Sequence, residues 1–303
     1  SGDNRPMPRH DGLKRKLFAE GVAAAASALG LVKVYVCPIC SQRFAETAIA
    51  DGRLTLEDVP PKAIGGRPII LTCKRCNNTA GHSVDVHAVK RASVGAAVAS
   101  LLHDRVGPVG DADLILGDAK LRGVISVDEQ KTRKVKILPS RNNPASVAEF
   151  ERRMKRHADD PTADGLALQI RLRDTFVPRL AAVSDLRAAY LACVAAAGYT
   201  YAFHPALQLV RQQILQPEVE WLARWWFRSK DMDPLSISVS ESEGLARVRL
   251  REECVALPWT SRAPDRYFQL LEDLQENRVP IDVTDCVSLS WPRSFVADLD
   301  QCQ

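Results

Sequence analysis

Cys37-Pro38-Ile39-Cys40, Leu54-Thr55-Leu56-Glu57-Asp58-Val59-Pro60-Pro61 and Leu71-Thr72-Cys73-Lys74-Arg75-Cys76-Asn77-Asn78 carry most of what this chain discloses. Two C-x-x-C turns about thirty residues apart each set two thiolates on one side of the backbone. Two such turns complete a tetrahedron around zinc at Zn–S distances of ~2.3 Å. Cys37, Cys40, Cys73 and Cys76 are therefore the expected ligands of a structural zinc. Such a knuckle also serves as a plain interaction module, so it explains stability before it explains function. The polar residues held between and after the knuckles go further: Glu57 and Asp58 at a strand end, Asn77 directly after Cys76, then His82, Asp85 and His87. These are candidate ligands for a second, catalytic ion.

The stretch from Cys37 through Leu54–Gly66 to Leu71–Gly81 resembles the zinc-stapled HNH endonucleases of the ββα-metal fold, with an endonuclease VII-like placement of the four cysteines. The resemblance covers residues 31 to 91. In that family an acidic residue and a histidine end the first strand ahead of a Pro-Gly-Gly loop, and an asparagine follows the last zinc cysteine. The resemblance implies a metal-dependent hydrolysis of phosphodiester bonds in DNA, with Glu57 and Asn77 as protein ligands of Mg or Mn. One departure stands out. The usual Glu-His or Asp-His pair is here Glu57-Asp58, so the general-base histidine is missing.

Cleaving a phosphodiester needs a divalent ion on the phosphate oxygens, an activated water in line, and a stiff scaffold for both. Carboxylate and amide oxygens suit hard Mg or Mn. Asp58 occupies the base position, yet a free Asp has a pKa of ~3.9, far below the optimum for taking a proton at neutral pH. Three outcomes stay open: Asp58 is a raised-pKa base or an extra metal ligand, His82 or His87 serves as base, or the site is weak. On one helix His82 and Asp85, three apart, share a face and His87 lies off it, which favours His82 and Asp85. Asn77 has a duller reading as a helix cap, and Glu57-Asp58 before two prolines as a solvated turn. Lys62, Lys74, Arg75, Lys90 and Arg91 are candidate nucleic-acid contacts. Lys74 and Arg75 also offset the negative charge that four thiolates leave around a divalent ion.

At 303 residues the chain exceeds one HNH module several-fold, which predicts a second domain. The content of 46% hydrophobic and 26% charged residues describes a packed globular protein and excludes disordered or fibrous classes. The alanine-rich stretch from Val22 to Leu29 follows a basic amphipathic segment and does not read as a cleavable signal. A cytoplasmic protein with no membrane partner is expected. Cys193, Cys254, Cys286 and Cys302 are scattered, which suits a reducing compartment. Through Arg91 there are 14 Lys+Arg against 8 Asp+Glu, so positive charge gathers on the nuclease-like region, as a partner for DNA requires. Lys14-Arg15-Lys16 and Arg152-Arg153-Met154-Lys155-Arg156 are further phosphate candidates, or ordinary helix surfaces.

The fold class reads as α+β. Residues 1–105 form an N-terminal helix plus the ββα-metal (HNH) module with its four-cysteine structural zinc, and 106–303 a mixed α+β recognition or regulatory domain. Helices are expected over residues 11–30 and 78–103, and Gly107-Pro108-Val109-Gly110-Asp111 as a turn at the domain boundary. Val124–Val127 and Val135–Leu138 suggest a hairpin, Leu166–Leu172 a third strand, and Val147–His157 a helix. Further helices are expected at Ser184–Ala197, His204–Leu215 and Val219–Arg228, the last burying Trp221, Leu222, Trp225 and Trp226 at helical spacing. Ile237–Val239, Arg247–Leu250 and Val287–Leu289 read as strands. The C-terminal two-thirds shows no repeat, no glycine-rich phosphate loop and no second metal cluster. Use in bacterial phage defence or restriction is implied by fold-level analogy alone, and a homo-oligomer is possible. The competing class is a non-catalytic zinc module derived from such a nuclease.

Overall fold

The computed structural model describes residues 9–159, 168–173, 175–228, 232–251, 253–259, 267–269, 271–272 and 286–295. The chain is mixed α+β and divides into two compact units, Ser1–Val89 with Pro178–Gln303, and Lys90–Val177. The contiguous division expected at residue 105 is not followed. The chain returns because the apolar run after Pro178 finds its burial partners in the N-terminal region.

The first unit begins with α1 (Arg9–Leu29). It is stopped by Gly30, left-handed at φ +66° with its N–H on the Ala26 carbonyl, and Lys33, also left-handed, turns the chain. Tyr35–Val36 (β1) then pairs with β2 (Arg43–Phe44) around the first knuckle. A short α2 (Thr47–Ala50) leads into an antiparallel hairpin, β3 (Leu54–Val59) and β4 (Arg67–Cys73). The hairpin loop needs Gly66, where a Cβ would fall 1.4 Å from the Pro60 carbonyl oxygen. From Cys73 the chain enters α3 (Lys74–Ala80), a π-helical turn (Gly81–Asp85) and α4 (Val86–Leu102), inside which the unit boundary falls.

The second unit is a four-stranded antiparallel sheet in the order β7-β6-β5-β8, from β5 (Gly107–Leu116), β6 (Ala119–Val127), β7 (Arg133–Ile137) and β8 (Leu168–Leu172). The amphipathic α5 (Pro144–Asp159) lays Phe150 on Leu114, Leu116 and Leu121. The hairpin, the β8 strand and the helix match expectation. Gly107–Asp111 does not, since it opens β5 rather than marking a boundary. Gly107 and Gly110, at φ +135° and +151°, let this strand pass a bulge after Pro108 and still pair with β6.

Back in the first unit, α6 (Pro178–Ala202) starts six residues earlier than expected and breaks at Gly198, which has φ 74°. It is long and apolar enough to cross a membrane, and its apolar stretch is buried as the core helix of this unit. Then come α7 (Gln208–Leu215), β9 (Trp226–Arg228), β10 (Ser236–Ser240), β11 (Leu245–Arg249), β12 (Glu253–Pro258) and β13 (Val287–Leu289). The strands form an antiparallel sheet ordered β13-β10-β11-β12-β9. The helix expected at Val219–Arg228 does not form. Buried Gln213 accepts from the Trp221 and Leu222 N–H groups and donates to the Val219 carbonyl, taking up helical backbone partners, and β12 draws Trp226–Arg228 into the sheet. The reading of these tryptophans as core holds for Trp225, fully buried with its indole N–H on the Ala182 carbonyl, while Trp221 is exposed. Cys193, Cys254 and Cys286 form no disulfide with one another, and Cys302 lies outside the described residues.

Candidate metal centre and carboxylate site

The two knuckles meet as their spacing requires. One hangs on the β1–β2 turn, where Ser41 is left-handed and Cys37 N–H bonds the Gln42 carbonyl; the other caps α3, with Cys76 N–H on the Cys73 sulfur at 3.4 Å. The Sγ atoms of Cys37, Cys40, Cys73 and Cys76 all lie within 4.8 Å of one another, and Cys40 and Cys73 are 3.6 Å apart. A tetrahedron with metal–sulfur bonds of ~2.3 Å has edges of about 3.8 Å, so the donor set fits a metal ion such as zinc. Crowded thiols share their protons: hydrogen bonding, first with Cys37, holds Cys40 well below the usual thiol range and Cys76 well above it. A central dication would stabilise all four as thiolates. Arg75 is exposed, and the nearby cysteine sulfurs, Cys40 first, strengthen its hold on its proton, the direction a charge-offsetting role calls for.

The tetrad pins Asn77 against the hairpin. Its Nδ2 donates to Thr55 Oγ1 at 2.9 Å and to the Leu56 carbonyl at 3.0 Å, both on β3. Asn77 thus ties helix to strand, and no described residue holds its side-chain oxygen. Its dull reading as a helix cap is not met, because Cys73 caps α3.

Glu57 sits one residue before a bulge in β3, and its carboxylate turns inward, 3% exposed. There Thr72 Oγ1 donates to Glu57 Oε2 at 2.8 Å, and Arg187 Nη2 donates to the same oxygen. Arg187 also reaches Asp85 Oδ2 through Nη1 at 3.3 Å, and Ser184 Oγ donates to Asp85 Oδ1 at 2.6 Å. The two carboxylates expected to hold a catalytic ion are thus brought together, but around a guanidinium. Burial raises the Glu57 pKa above its usual value, and Arg187 and Thr72 offset part of that rise. Arg187 Nε is buried without an acceptor, so the fork is not fully satisfied.

His82 and Asp85 meet different surroundings. The π-helical turn between Gly81 and Asp85 widens the helix locally, leaving His82 exposed while Asp85 turns to Ser184 and Arg187. His87 is half-buried, and Asp58 is half-exposed beyond the bulge, paired across the hairpin with Pro68. Of the candidate phosphate contacts, Lys62 and Lys74 are exposed, whereas Lys90 and Arg91 are half-buried and belong to the second unit. The charge distribution also differs from expectation once the units are drawn. Residues 90–177 carry 16 Lys+Arg against 12 Asp+Glu, and the first unit 25 against 25. The nuclease-like region shares its unit with an acidic C-terminal segment.

Sequence reasoning missed Thr72, Ser184 and Arg187. The available signal was Ser184, Asp185 and Arg187 interrupting an apolar run, since polar residues in a buried helix require partners. The same helix grips the first knuckle: Tyr190 Oη donates to the Pro38 carbonyl at 2.7 Å, and Tyr199 Oη to the Val36 carbonyl. No protein-family profile, curated protein or solved structure matches the chain.

Proposed function

We propose that the chain is a zinc-stapled endonuclease of the HNH kind that hydrolyses DNA with Mg or Mn. The observation that carries the reading is the anchoring of Asn77, one residue after a cysteine of the candidate metal cluster, to the strand that carries Glu57 and Asp58. An antiparallel hairpin followed directly by a helix is the order a ββα-metal site uses. The ion, when bound, would stabilise charge on the phosphodiester oxygens and acidify the attacking water. Asn77 would hold it, together with Glu57 and Asp85 once Arg187 withdraws. Asp58 would take the proton from the attacking water, weakly, because its environment lacks an imidazole.

The Glu57–Arg187 contact favours a second reading, in which the guanidinium replaces the ion permanently and the module binds without cutting. Plasmid nicking with Mg, Mn and added chelator separates the two. Under the first reading, cleavage is slow in Mg, faster in Mn and rises with pH. Asn77→Ala abolishes it without loss of the structural metal, and Asp58→His accelerates it, since a pKa of ~6.5 suits proton transfer at neutral pH. If neither the wild type nor Asp58→His cuts DNA while the cysteine tetrad is loaded, the non-catalytic reading replaces it.

A further inference from the structure

A cleft of ≈ 1200 Å³ opens in the first unit between the end of the β3–β4 hairpin, α1 and the segment from β13 to Arg293. It exceeds the ~300–1,000 Å³ usual for a single small molecule. Its wall carries Arg67, Arg293 and Trp291 together with the hydroxyls of Ser288 and Ser290, and among the described residues no carboxylate lines it. Arg67 and Arg293 are exposed, and neither forms an ion pair among the described residues. Trp291 is half-buried, seated on the core. Leu235 in the same wall is held left-handed at φ 55°, a conformation that leucine rarely adopts and that marks a shaped surface.

We propose that this cleft binds a nucleotide segment, with a base against Trp291 and phosphates at Arg67 and Arg293. An aromatic platform beside exposed cations is the combination that single-stranded nucleic acid recognises, stacking on the ring while its backbone is neutralised. The serine hydroxyls supply sugar or phosphate contacts. Position supports this ligand over an unrelated organic anion. Arg67 pairs across the hairpin with Val59 and Pro68 with Asp58, so the cleft begins at the end of the hairpin that carries the candidate base. The inference rests on the reading that the chain acts on nucleic acid, and it assigns the place where an unpaired strand lies.

The test is fluorescence anisotropy of the whole zinc-loaded chain without Mg or Mn, using a labelled single-stranded DNA hexamer and a labelled mononucleotide. The hexamer is expected to bind more weakly as salt rises. Arg67→Gln/Arg293→Gln should weaken it at least tenfold and lower the log–log salt slope by about 1.4, two phosphates at ~0.7 each. Trp291→Ala should cost roughly tenfold, and Trp291→Phe, which preserves core packing and a ring, should recover most of that loss. Equal affinity for the mononucleotide would support the site with a free nucleotide as its source. Hexamer binding that is absent, or unchanged in the double arginine variant, would overturn the proposal. Because no cleavage is read, loss of cleft binding with intact nicking refutes only the cleft, and binding without nicking refutes only the nuclease.

Discussion

In the first unit Arg187, Glu57 and Asp85 meet with side chains 3%, 4% and 14% exposed, whereas in the second unit the ion pairs Lys120–Asp113 and Lys134–Asp128 are made by lysines 56% and 63% exposed. The same chemical pairing has opposite weight in the two places. Exposed pairs contribute ~0–1 kcal/mol, because water screens them and ordering a lysine costs entropy. A buried pair gains little over an apolar replacement of the whole cluster, yet breaking it by removing one partner strands a charge. The first unit therefore depends on a few buried polar residues being right together, and the second on apolar cover from Phe150 over Leu114, Leu116 and Leu121.

The strongest way to break this comparison is to remove the metal. Cys76→Ser, or stripping the metal with a strong chelator, should unfold the first unit, since structural zinc binding of about 10–16 kcal/mol is folding free energy in small metal domains. The second unit should survive. Limited proteolysis read by mass spectrometry checks this: an intact 90–177 fragment is expected, and simultaneous loss of both units would contradict it. Elemental analysis showing no zinc in freshly prepared protein would refute the tetrad as a zinc site.

Next in size is Arg187→Met, expected to cost about 3–5 kcal/mol in urea unfolding of the first unit. Replacing the cluster together, Glu57→Gln/Asp85→Asn/Arg187→Met, should recover most of the loss, as no charge is left uncompensated. A single-variant cost under ~1 kcal/mol would place this triad with the surface pairs.

A smaller effect comes from pH. Burial raises the Glu57 pKa in the folded chain, so the folded state holds this proton more tightly than the unfolded one. That contribution is complete below the unfolded carboxylate value of ~4.3 and is lost as pH rises through the folded value. Wild-type stability should thus fall relative to Glu57→Gln as pH rises from ~4.3, by about 1.4 kcal/mol for each tenfold difference in proton affinity between the folded and unfolded chains. A wild-type advantage that grew with pH instead would mean that Arg187 outweighs burial. The smallest effects belong to the second unit, where Lys120→Ala and Lys134→Ala should each change stability by no more than ~1 kcal/mol. Larger losses would erase the contrast between the units.

Part of this organisation is legible in short stretches of the sequence. The cysteine spacing, a helix within residues 78–103, and the strands at β6, β7, β10, β11 and β13 follow from local chemistry that such stretches contain, while the hairpin around Pro60-Pro61 and Gly65-Gly66 is implied by the resemblance alone. The failures have identifiable causes. Gly107–Asp111 looks like a turn because glycine and proline are read as breakers, yet an antiparallel partner on each side of β5 absorbs them in a bulge. Val219–Arg228 has helical spacing, but the Gln213 side chain competes for its backbone. A face shared by His82 and Asp85 assumes regular helix geometry, and the segment between them is a π-helical turn.

The sequence by itself determined where a metal can bind, because four thiolates in two tight turns have few other ways to satisfy their charge and geometry. The order of strand, strand and helix around Glu57, Asp58 and Asn77 is what the resemblance implies. What only the tertiary structure decided is the fate of those carboxylates. Arg187 lies 130 residues from Glu57 along the chain and 102 from Asp85, and becomes their partner because α6 must bury its apolar surface and does so beside the hairpin. Local pattern records which residues are charged; the partner of a buried charge is set by which distant element closes over it.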